Sequence, residues 1–331
     1  MTRRRAADRT DPETPRADGR ARSADDDVLA GLRAPRKHLP CRLLYDARGA
    51  ALFEQICTLD DYYPTRSELA LLEEHLPAIA AAAGPAARVI EPGSGAGKKT
   101  RMLLRALEAP VGYVPIDISR EQLEDNARAL RAELPGLEVQ PVCGDYTGPL
   151  ELPRPARRAA RTLAFFPGST IGNFEPDAAR AFLARLRALA GPGGMLLLGA
   201  DGNNDRDSLE RAYDDREGVT AAFDRNVLAH VNRTHVATFD PGAFAHRAVW
   251  NAPHTRIEMH LVSLRRQTVV VGGEPIHFER GEPIVTEHCY KHPPPVLAAM
   301  LAAAGWRVLR TDADPRARMH LWLAAGSGAG A

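Results

Sequence analysis

The sequence predicts an α/β protein built on a doubly wound parallel sheet, and three segments carry this prediction. Residues 89–104 begin with two β-branched residues, pass through a glycine loop and end with helical apolar spacing, which indicates strand, loop and helix. Residues 111–118 and 137–143 have the composition of the next two strands. Strands that alternate with helical segments are typical of βαβ units, so we expect a ligand site at the carboxyl edge of this sheet.

The glycine loop after the first predicted strand is the first candidate site. Its glycines let the backbone pass close to a ligand and expose N–H groups near a helix N-terminus, and they are Gly93, Gly95 and Gly97. Glu91 ends the strand. A phosphate favours a loop whose positive end is unopposed, whereas an acid here suits a cationic or polyhydroxylated ligand such as S-adenosylmethionine.

Two further acids narrow the class of ligand. Asp117 stands near the end of the second predicted strand, where a doubly wound fold offers a carboxylate to a ribose diol, and Asp145 follows the third. A dinucleotide is the rival ligand, but its fingerprint is G-x-G-x-x-G and this loop reads G-x-G-x-G followed by lysines. A glycine turn that only packs is the other alternative, and it would leave both later acids unexplained.

A second loop of small residues follows the fourth predicted strand, Arg161–Phe166, and precedes a fifth strand at residues 195–200. Asn173 is the one amide in this loop of residues 167–174. An amide oxygen accepts from an amine N–H without competing as a nucleophile, so Asn173 is a candidate for holding an amine substrate. Capping a helix over residues 176–189 is its alternative role.

Composition excludes several other classes of protein. Forty-three basic against forty-two acidic side chains leave a formal charge of +1 on 331 residues, so nothing indicates a nucleic-acid partner and we expect a small-molecule ligand. Four separated cysteines without a C-x-x-C pair indicate reduced thiols in a cytoplasmic protein. No apolar run approaches the roughly 20 residues that span a bilayer, and no secretory signal begins the chain. We expect a monomer that binds no metal.

The pattern of elements predicts two domains. Residues 1–27 contain almost no apolar side chains and are predicted to be a disordered tail. After residue 203 the pattern changes to helices followed by alternating strands. We therefore assign 66–203 and 290–331 to the nucleotide domain. An α+β substrate-binding domain takes 28–65 and 204–289, formed by an N-terminal segment and an insertion.

Several motifs together resemble one known family, the histidine Nα-methyltransferases of ergothioneine biosynthesis. They are YYPTR at 62–66, GSTIGN at 168–173, RAYDD at 211–215, FDRNVL at 223–228, RIEM at 256–259 and TEHCYK at 286–291. The resemblance extends from about residue 28 to the C-terminus. It implies a class I, Rossmann-like methyltransferase fold and S-adenosylmethionine as the cofactor. The implied reaction is methylation of the α-amino group of L-histidine three times, which gives hercynine.

The resemblance also implies roles for individual residues. The implied cofactor-binding residues are Tyr45, Glu91, Gly93, Lys99, Asp117, Asp145 and Tyr146. Asp117 is implied to take the ribose hydroxyls and Asp145 the adenine amino group. Asn173 and Tyr45 are the implied catalytic residues, because they hold the substrate amine. The implied substrate-binding residues are Tyr62 and Tyr213 for the carboxylate, Glu287 and Cys289 for the imidazole, and Gly168 and Met259 in the pocket wall.

Cys289 departs from the family pattern, which has serine at this position. A thiol is a weaker hydrogen-bonding group than a hydroxyl and its sulfur is larger, so histidine binding should lose roughly 1 kcal/mol. This departure leaves open an Nα-methyltransferase for another or modified amino acid. A non-catalytic S-adenosylmethionine-binding regulator is the alternative from a different class. His288 does not join Cys289 in a metal site, because adjacent strand residues point to opposite faces.

Overall fold

The computed structural model describes residues 24–95 and 97–327. Most of the tail predicted to be disordered lies outside these residues. For its last four residues, 24–27, the prediction of disorder is wrong, because the first helix begins at Ala24. Val28 and Leu32, one helical turn apart, are both fully buried, and this apolar stripe holds the helix against the protein.

The helices and strands follow one another along most of the chain. The helices are α1 (Ala24–Arg33), α2 (Ala47–Ile56), α3 (Tyr63–Ala83), α4 (Lys98–Ala106), α5 (Arg120–Glu133), α6 (Pro176–Ala190), α7 (Arg206–Tyr213), α8 (Val219–Thr234) and α9 (Pro294–Ala303). The strands are β1 (Ala87–Pro92), β2 (Gly112–Asp117), β3 (Glu138–Val139), β4 (Val142–Cys143), β5 (Arg161–Phe166), β6 (Met195–Asp201), β7 (Phe244–Asn251), β8 (Arg256–Ser263), β9 (Gln267–Val271), β10 (Glu274–Phe278), β11 (Pro283–Tyr290), β12 (Trp306–Ala313) and β13 (Met319–Gly326).

The large sheet confirms the predicted doubly wound fold. Its strand order is β12-β13-β6-β5-β1-β2-β3, with β4 also paired to β2. The neighbours from β6 to β3 run parallel, while β13 is antiparallel to both β6 and β12. Strands β1 and β6 are buried along their whole length, because helices cover both faces of a sheet of this kind.

The third predicted strand, residues 137–143, is interrupted in the structure. Strand β3 pairs with the start of β2 and β4 pairs with its end, and Gln140 and Pro141 lie between them. Proline has no N–H to donate to a ladder, so the pairing stops there. The chain still reaches Asp145 at the carboxyl edge of the sheet.

A separate group of elements lies beyond the large sheet. Strands β11, β8 and β7 form a three-stranded antiparallel sheet, and β9 and β10 form a hairpin. The buried apolar cluster of this second group of elements draws on two parts of the chain. Leu44 and Tyr62 come from the N-terminal segment, and Phe223 and Phe244 come from the segment after β6. Two other apolar clusters line the large sheet. Within the described residues, the helices are too short or too polar to cross a membrane.

Candidate active site

Glu91, at the end of β1, is a buried acid surrounded by hydrogen-bond donors. Its carboxylate accepts from the Thr100 hydroxyl at 2.7 and 2.9 Å and from the Tyr113 hydroxyl at 2.5 Å. Burial raises the pKa of Glu91 to about 7, although these hydrogen bonds and the nearby Lys99 favour the charged form. A cation bound beside this carboxyl would favour its ionised form.

Asp117 and Asp145 lie at the ends of the two neighbouring strands and are more accessible. Asp117 accepts from the backbone N–H of Ser119 at 3.1 Å. One oxygen of Asp145 accepts from the backbone N–H and the hydroxyl of Thr147, at 2.8 and 2.6 Å. Such local bonds orient a carboxylate at a turn. The three acids therefore follow adjacent strands along one edge of the sheet, which is the arrangement a nucleoside ligand needs.

The glycine loop passes directly under an aromatic ring. Gly93 has a φ of +70°, and a Cβ at this position would lie 3.4 Å from the Tyr146 ring. The Tyr146 ring packs against Phe166 and Phe182, with centroids 6.2 and 5.8 Å away. A glycine backbone beside a packed aromatic ring leaves a flat surface against which a ligand can bind. These features fit the adenosine and methionine parts of S-adenosylmethionine.

Lys99 is engaged with a buried acid that the sequence reasoning missed. Its ammonium forms an ion pair with Glu68 of α3, whose side chain is almost fully buried. Glu68 also accepts from the backbone N–H of Gly168 with both oxygens, at 2.9 Å. Lys99 and Glu68 together attach the loop of residues 167–174 to α3. A glutamate at a core-facing helix position is the one sequence signal for this arrangement.

The loop of residues 167–174 approaches β11 closely. A Cβ on Gly172 would lie 2.5 Å from the backbone oxygen of Tyr290 and 3.3 Å from the sulfur of Cys289. The amide nitrogen of Asn173 donates to Glu287 in a long bond of 3.5 Å. Helix α6 begins after Glu175, so the alternative role of Asn173 as the cap of this helix is wrong. The loop instead brings Asn173 to the second sheet.

Aromatic rings form one side of the same region. Tyr62 and Tyr213 are buried and meet edge to face, with centroids 6.0 Å apart. Tyr45 packs against Phe53 and Phe223 at 5.6 and 5.5 Å, and it is 36% exposed. The Tyr45 side chain is therefore the accessible member of this aromatic group, which fits a residue beside both ligands.

Glu287 and Cys289 on β11 form the other side. A register shift between Val285 and Glu287 bends the strand, and Glu287 pairs with Met259 of β8. Burial raises the pKa of Glu287 to about 7. Cys289 is buried, whereas His288 points to the other face and contacts Glu175 at 2.6 Å. No group of three or more possible metal ligands occurs among the residues that the structure describes.

Lys291 is a further buried residue for which the sequence reasoning gave no role. Its ammonium donates to the Tyr213 hydroxyl at 2.9 Å and to the Cys289 sulfur at 3.3 Å, and it pairs with Asp201 at 3.1 Å. The lysine belongs to the TEHCYK motif. A lysine at the end of a strand is usually solvated, so the sequence alone did not indicate that this one lies inside the protein.

A buried histidine holds the backbone of Tyr213. The two ring nitrogens of His246 lie 2.6 Å from the Asp224 carboxylate and 2.8 Å from the Tyr213 carbonyl oxygen. Both partners accept hydrogen bonds, which favours an imidazolium that donates to each. Burial by itself lowers the pKa of His246, but Asp224 and the Tyr213 carbonyl raise it overall. Tyr213 is therefore fixed at its backbone by His246 and at its hydroxyl by Lys291.

Comparison with known proteins gives a consistent result along almost the whole chain. A family model described as histidine-specific, S-adenosylmethionine-dependent methyltransferase matches residues 24–325. The histidine N-alpha-methyltransferase of Mycolicibacterium smegmatis is 44% identical over 314 residues, which cover 93% of this chain and 96% of that protein. The protein of the same name from Mycobacterium tuberculosis is 43% identical over 305 residues, which cover 90% and 94%. Ergothioneine biosynthesis protein 1 of Schizosaccharomyces pombe is 28% identical over 268 residues, which cover 78% of this chain and 35% of that protein.

Proposed function

Because the chain belongs to the histidine-specific, S-adenosylmethionine-dependent methyltransferase family, we propose that it methylates the α-amino group of free L-histidine three times. The product is then hercynine, an intermediate of ergothioneine biosynthesis. The observation that carries this proposal is the contact between Asn173 and Glu287. This contact joins the loop at the carboxyl edge of the large sheet to the buried Glu287 side chain on β11.

The strand-end acids and the glycine loop form the cofactor site. S-adenosylmethionine, when bound, supplies a methyl group on a positively charged sulfur. Asp117 would accept from the ribose hydroxyls, and Asp145 would accept from the adenine amino group. Gly93 gives room for the backbone to approach, and the Tyr146 ring covers it. Lys99 takes part through Glu68, since it fixes the position of Gly168.

Asn173 and Tyr45 orient the substrate amine. The α-ammonium group of a free amino acid is mostly protonated at neutral pH, so it loses a proton to solvent before each transfer and the minor neutral form is the one that reacts. Methyl transfer then needs the nitrogen lone pair in line with the methyl group, and positioning supplies most of the rate. The Asn173 side-chain oxygen can accept one N–H of the amine, and its N–H₂ group lies 3.5 Å from Glu287, which favours the orientation that leaves the oxygen toward the amine.

Anchors at both ends of the substrate remain engaged while the nitrogen changes. Tyr62 and Tyr213 hold the carboxylate, and Glu287 and Cys289 hold the imidazole beside Gly168 and Met259. Each methylation removes one N–H donor from the nitrogen and adds bulk. The pocket must therefore release one hydrogen bond per round while the carboxylate and ring contacts persist, which favours anchors that are separate from Asn173.

The test is incubation of the purified protein with L-histidine and S-adenosylmethionine, followed by mass spectrometry. Addition of one, two and finally three methyl groups supports the proposal, and fragmentation places them on the α-nitrogen. D-histidine and imidazole-methylated histidine are the matched controls. Methyl groups on the ring, or an unchanged histidine with S-adenosylhomocysteine formed from another amino acid, would overturn it.

Cys289 favours one second candidate, an Nα-methyltransferase for another or modified amino acid. Its sulfur replaces a hydroxyl at the position that faces the ring. Competition among free amino acids separates the two candidates, since a clear preference for a substrate other than histidine would establish the second. Absence of S-adenosylhomocysteine with every amino acid would instead support a non-catalytic binding protein.

A further inference from the structure

Lys291 is a buried cation that connects the two sheets. It follows β11 directly, and the adjacent residue, His292, donates its backbone N–H to the Asp201 carbonyl at the end of β6. The Lys291 side chain is fully buried, as is that of Asp201. Burial opposes its charge, but Asp201 and Cys289 raise the pKa of Lys291 overall, so it remains an ammonium ion.

Each N–H donor of the Lys291 ammonium has a partner. An ammonium has three N–H donors and no acceptor, and its partners here are Asp201, the Tyr213 hydroxyl and the Cys289 sulfur. The Tyr213 oxygen must accept from Lys291. Its own O–H is therefore free to donate to a second group, either the Cys289 sulfur 3.1 Å away or an acceptor on the substrate. A carboxylate only accepts hydrogen bonds, so a Tyr213 O–H that is free to donate is a suitable partner for it.

The buried Asp201 carboxylate is stabilised by other donors besides Lys291. It also accepts from the Tyr63 hydroxyl at 2.5 Å and from the backbone N–H of Asn203 at 2.9 Å. Because these donors also stabilise the Asp201 carboxylate, the positive charge of Lys291 can stabilise other negative groups nearby. Glu287 is buried in the same pocket, and Lys291 is the neighbour that favours its charged form. A second carboxylate, brought by the substrate, would need the same compensation.

We propose that Lys291 is the positioning residue for recognition of the free carboxylate. Because Lys291 donates to the Tyr213 oxygen, the Tyr213 O–H can donate to the substrate carboxylate. The positive charge of Lys291 then stabilises the negative charge of that carboxylate without touching it. The protein consequently discriminates between a free amino acid and its amide or ester. This inference rests on the proposed function, because it assigns the carboxylate to Tyr213.

The test compares L-histidine with L-histidinamide, which keeps the amine and ring but lacks the charged carboxylate. Removing Lys291 alone leaves Asp201 buried and less compensated, so the informative variant is Lys291→Met combined with Asp201→Asn. The ratio of kcat/KM for histidine to that for histidinamide should fall about tenfold, through a higher KM for histidine. The kcat/KM for histidinamide should change by no more than about twofold. Tyr63→Phe removes another contact to Asp201 but keeps both charges of the pair, so it should keep the ratio.

A double-mutant cycle tests whether Lys291 acts through Tyr213. Tyr213→Phe should lower the ratio by itself, and removing the charges in that background should change it by no more than about twofold more. Unchanged affinity for S-adenosylhomocysteine, measured by calorimetry, verifies the fold of each variant. Equal losses with both substrates would overturn the role of Lys291 and leave the proposed function intact. A wild-type protein that methylates neither substrate would overturn the proposed function, and this inference with it.

Discussion

Asn173 and Tyr62 face different parts of the proposed substrate, so their removal should affect different kinetic parameters. Asn173→Ala leaves the anchors in place but frees the amine, and we expect it mainly to lower kcat. Tyr62→Phe removes one hydrogen bond to the carboxylate and keeps the ring. We expect about a fivefold higher KM for histidine with little change in kcat. Steady-state kinetics of both variants measure this, and equal changes in both parameters would contradict the separate roles.

Glu287 gives the affinity for histidine a pH dependence. Its pKa is raised to about 7 by burial, and the histidine ring has a pKa of about 6.5. Above these values the Glu287 carboxylate can accept the N–H of a neutral ring. Below them both groups are protonated, so an uncharged carboxylic acid meets a cationic ring and the ring loses its anionic acceptor. KM for histidine should therefore rise as the pH falls from 7.5 to about 5.5.

Glu287→Gln separates this effect from the titration of the substrate, which is the same in both proteins. The wild type should show an inflection near pH 7, and the variant should lack it. Folding raises the pKa of Glu287, so its contribution to stability is fully present below the unfolded value and is lost as the pH rises through about 7. A KM profile identical in the two proteins would show that Glu287 does not contact the ring.

Among elements, the loop of residues 167–174 depends on Gly172. A Cβ there would lie 2.5 Å from the Tyr290 carbonyl oxygen, which is backbone and cannot rotate away. Gly172→Ala should therefore push the loop from β11, lower kcat and cost about 1–3 kcal/mol of stability. Gly112→Ala on β2 is the matched control, because its Cβ would meet the Arg88 side chain at 3.4 Å, an ordinary contact distance. Thermal unfolding and kcat check both variants, and a fully active Gly172→Ala would contradict the close approach.

The His246–Asp224 pair joins β7 to α8 and should make stability depend on pH. Folding raises the pKa of His246, so its contribution is fully present below the unfolded value of about 6.5 and is lost as the pH rises through the folded value. His246→Gln should reduce the free energy of unfolding most below pH 6.5 and flatten its decline at higher pH. Denaturant unfolding between pH 5.5 and about 9 measures this. The exposed His254→Gln should retain the wild-type profile, and the same profile in His246→Gln would contradict the pairing.

At the scale of the whole molecule, the large sheet could be predicted because its signals are local. Two β-branched residues before a glycine loop, and an acid after each of three strands, describe the carboxyl edge without any knowledge of tertiary contacts. The break between β3 and β4 has a local cause as well, in Pro141, although the alternating apolar pattern on both sides concealed it.

The buried ionic groups could not be predicted in the same way. Glu68, Lys291 and His246 have charged or titratable side chains whose partners lie far away in the sequence. A charged residue read by itself favours the surface, and only the folded chain shows the oppositely charged group that makes burial tolerable. Glu68 lies behind the loop of residues 167–174, and Lys291 and His246 lie behind Tyr213, so these groups support both sides of the proposed site.

The most direct test of this account is a crystal structure of the protein with S-adenosylhomocysteine and Nα,Nα-dimethylhistidine. We expect the ribose at Asp117, the ring of the amino acid at Glu287, and the dimethylated nitrogen beside Asn173 and facing the sulfur. A cofactor bound away from Asp117, or an imidazole nitrogen facing the sulfur in place of the α-nitrogen, would contradict it.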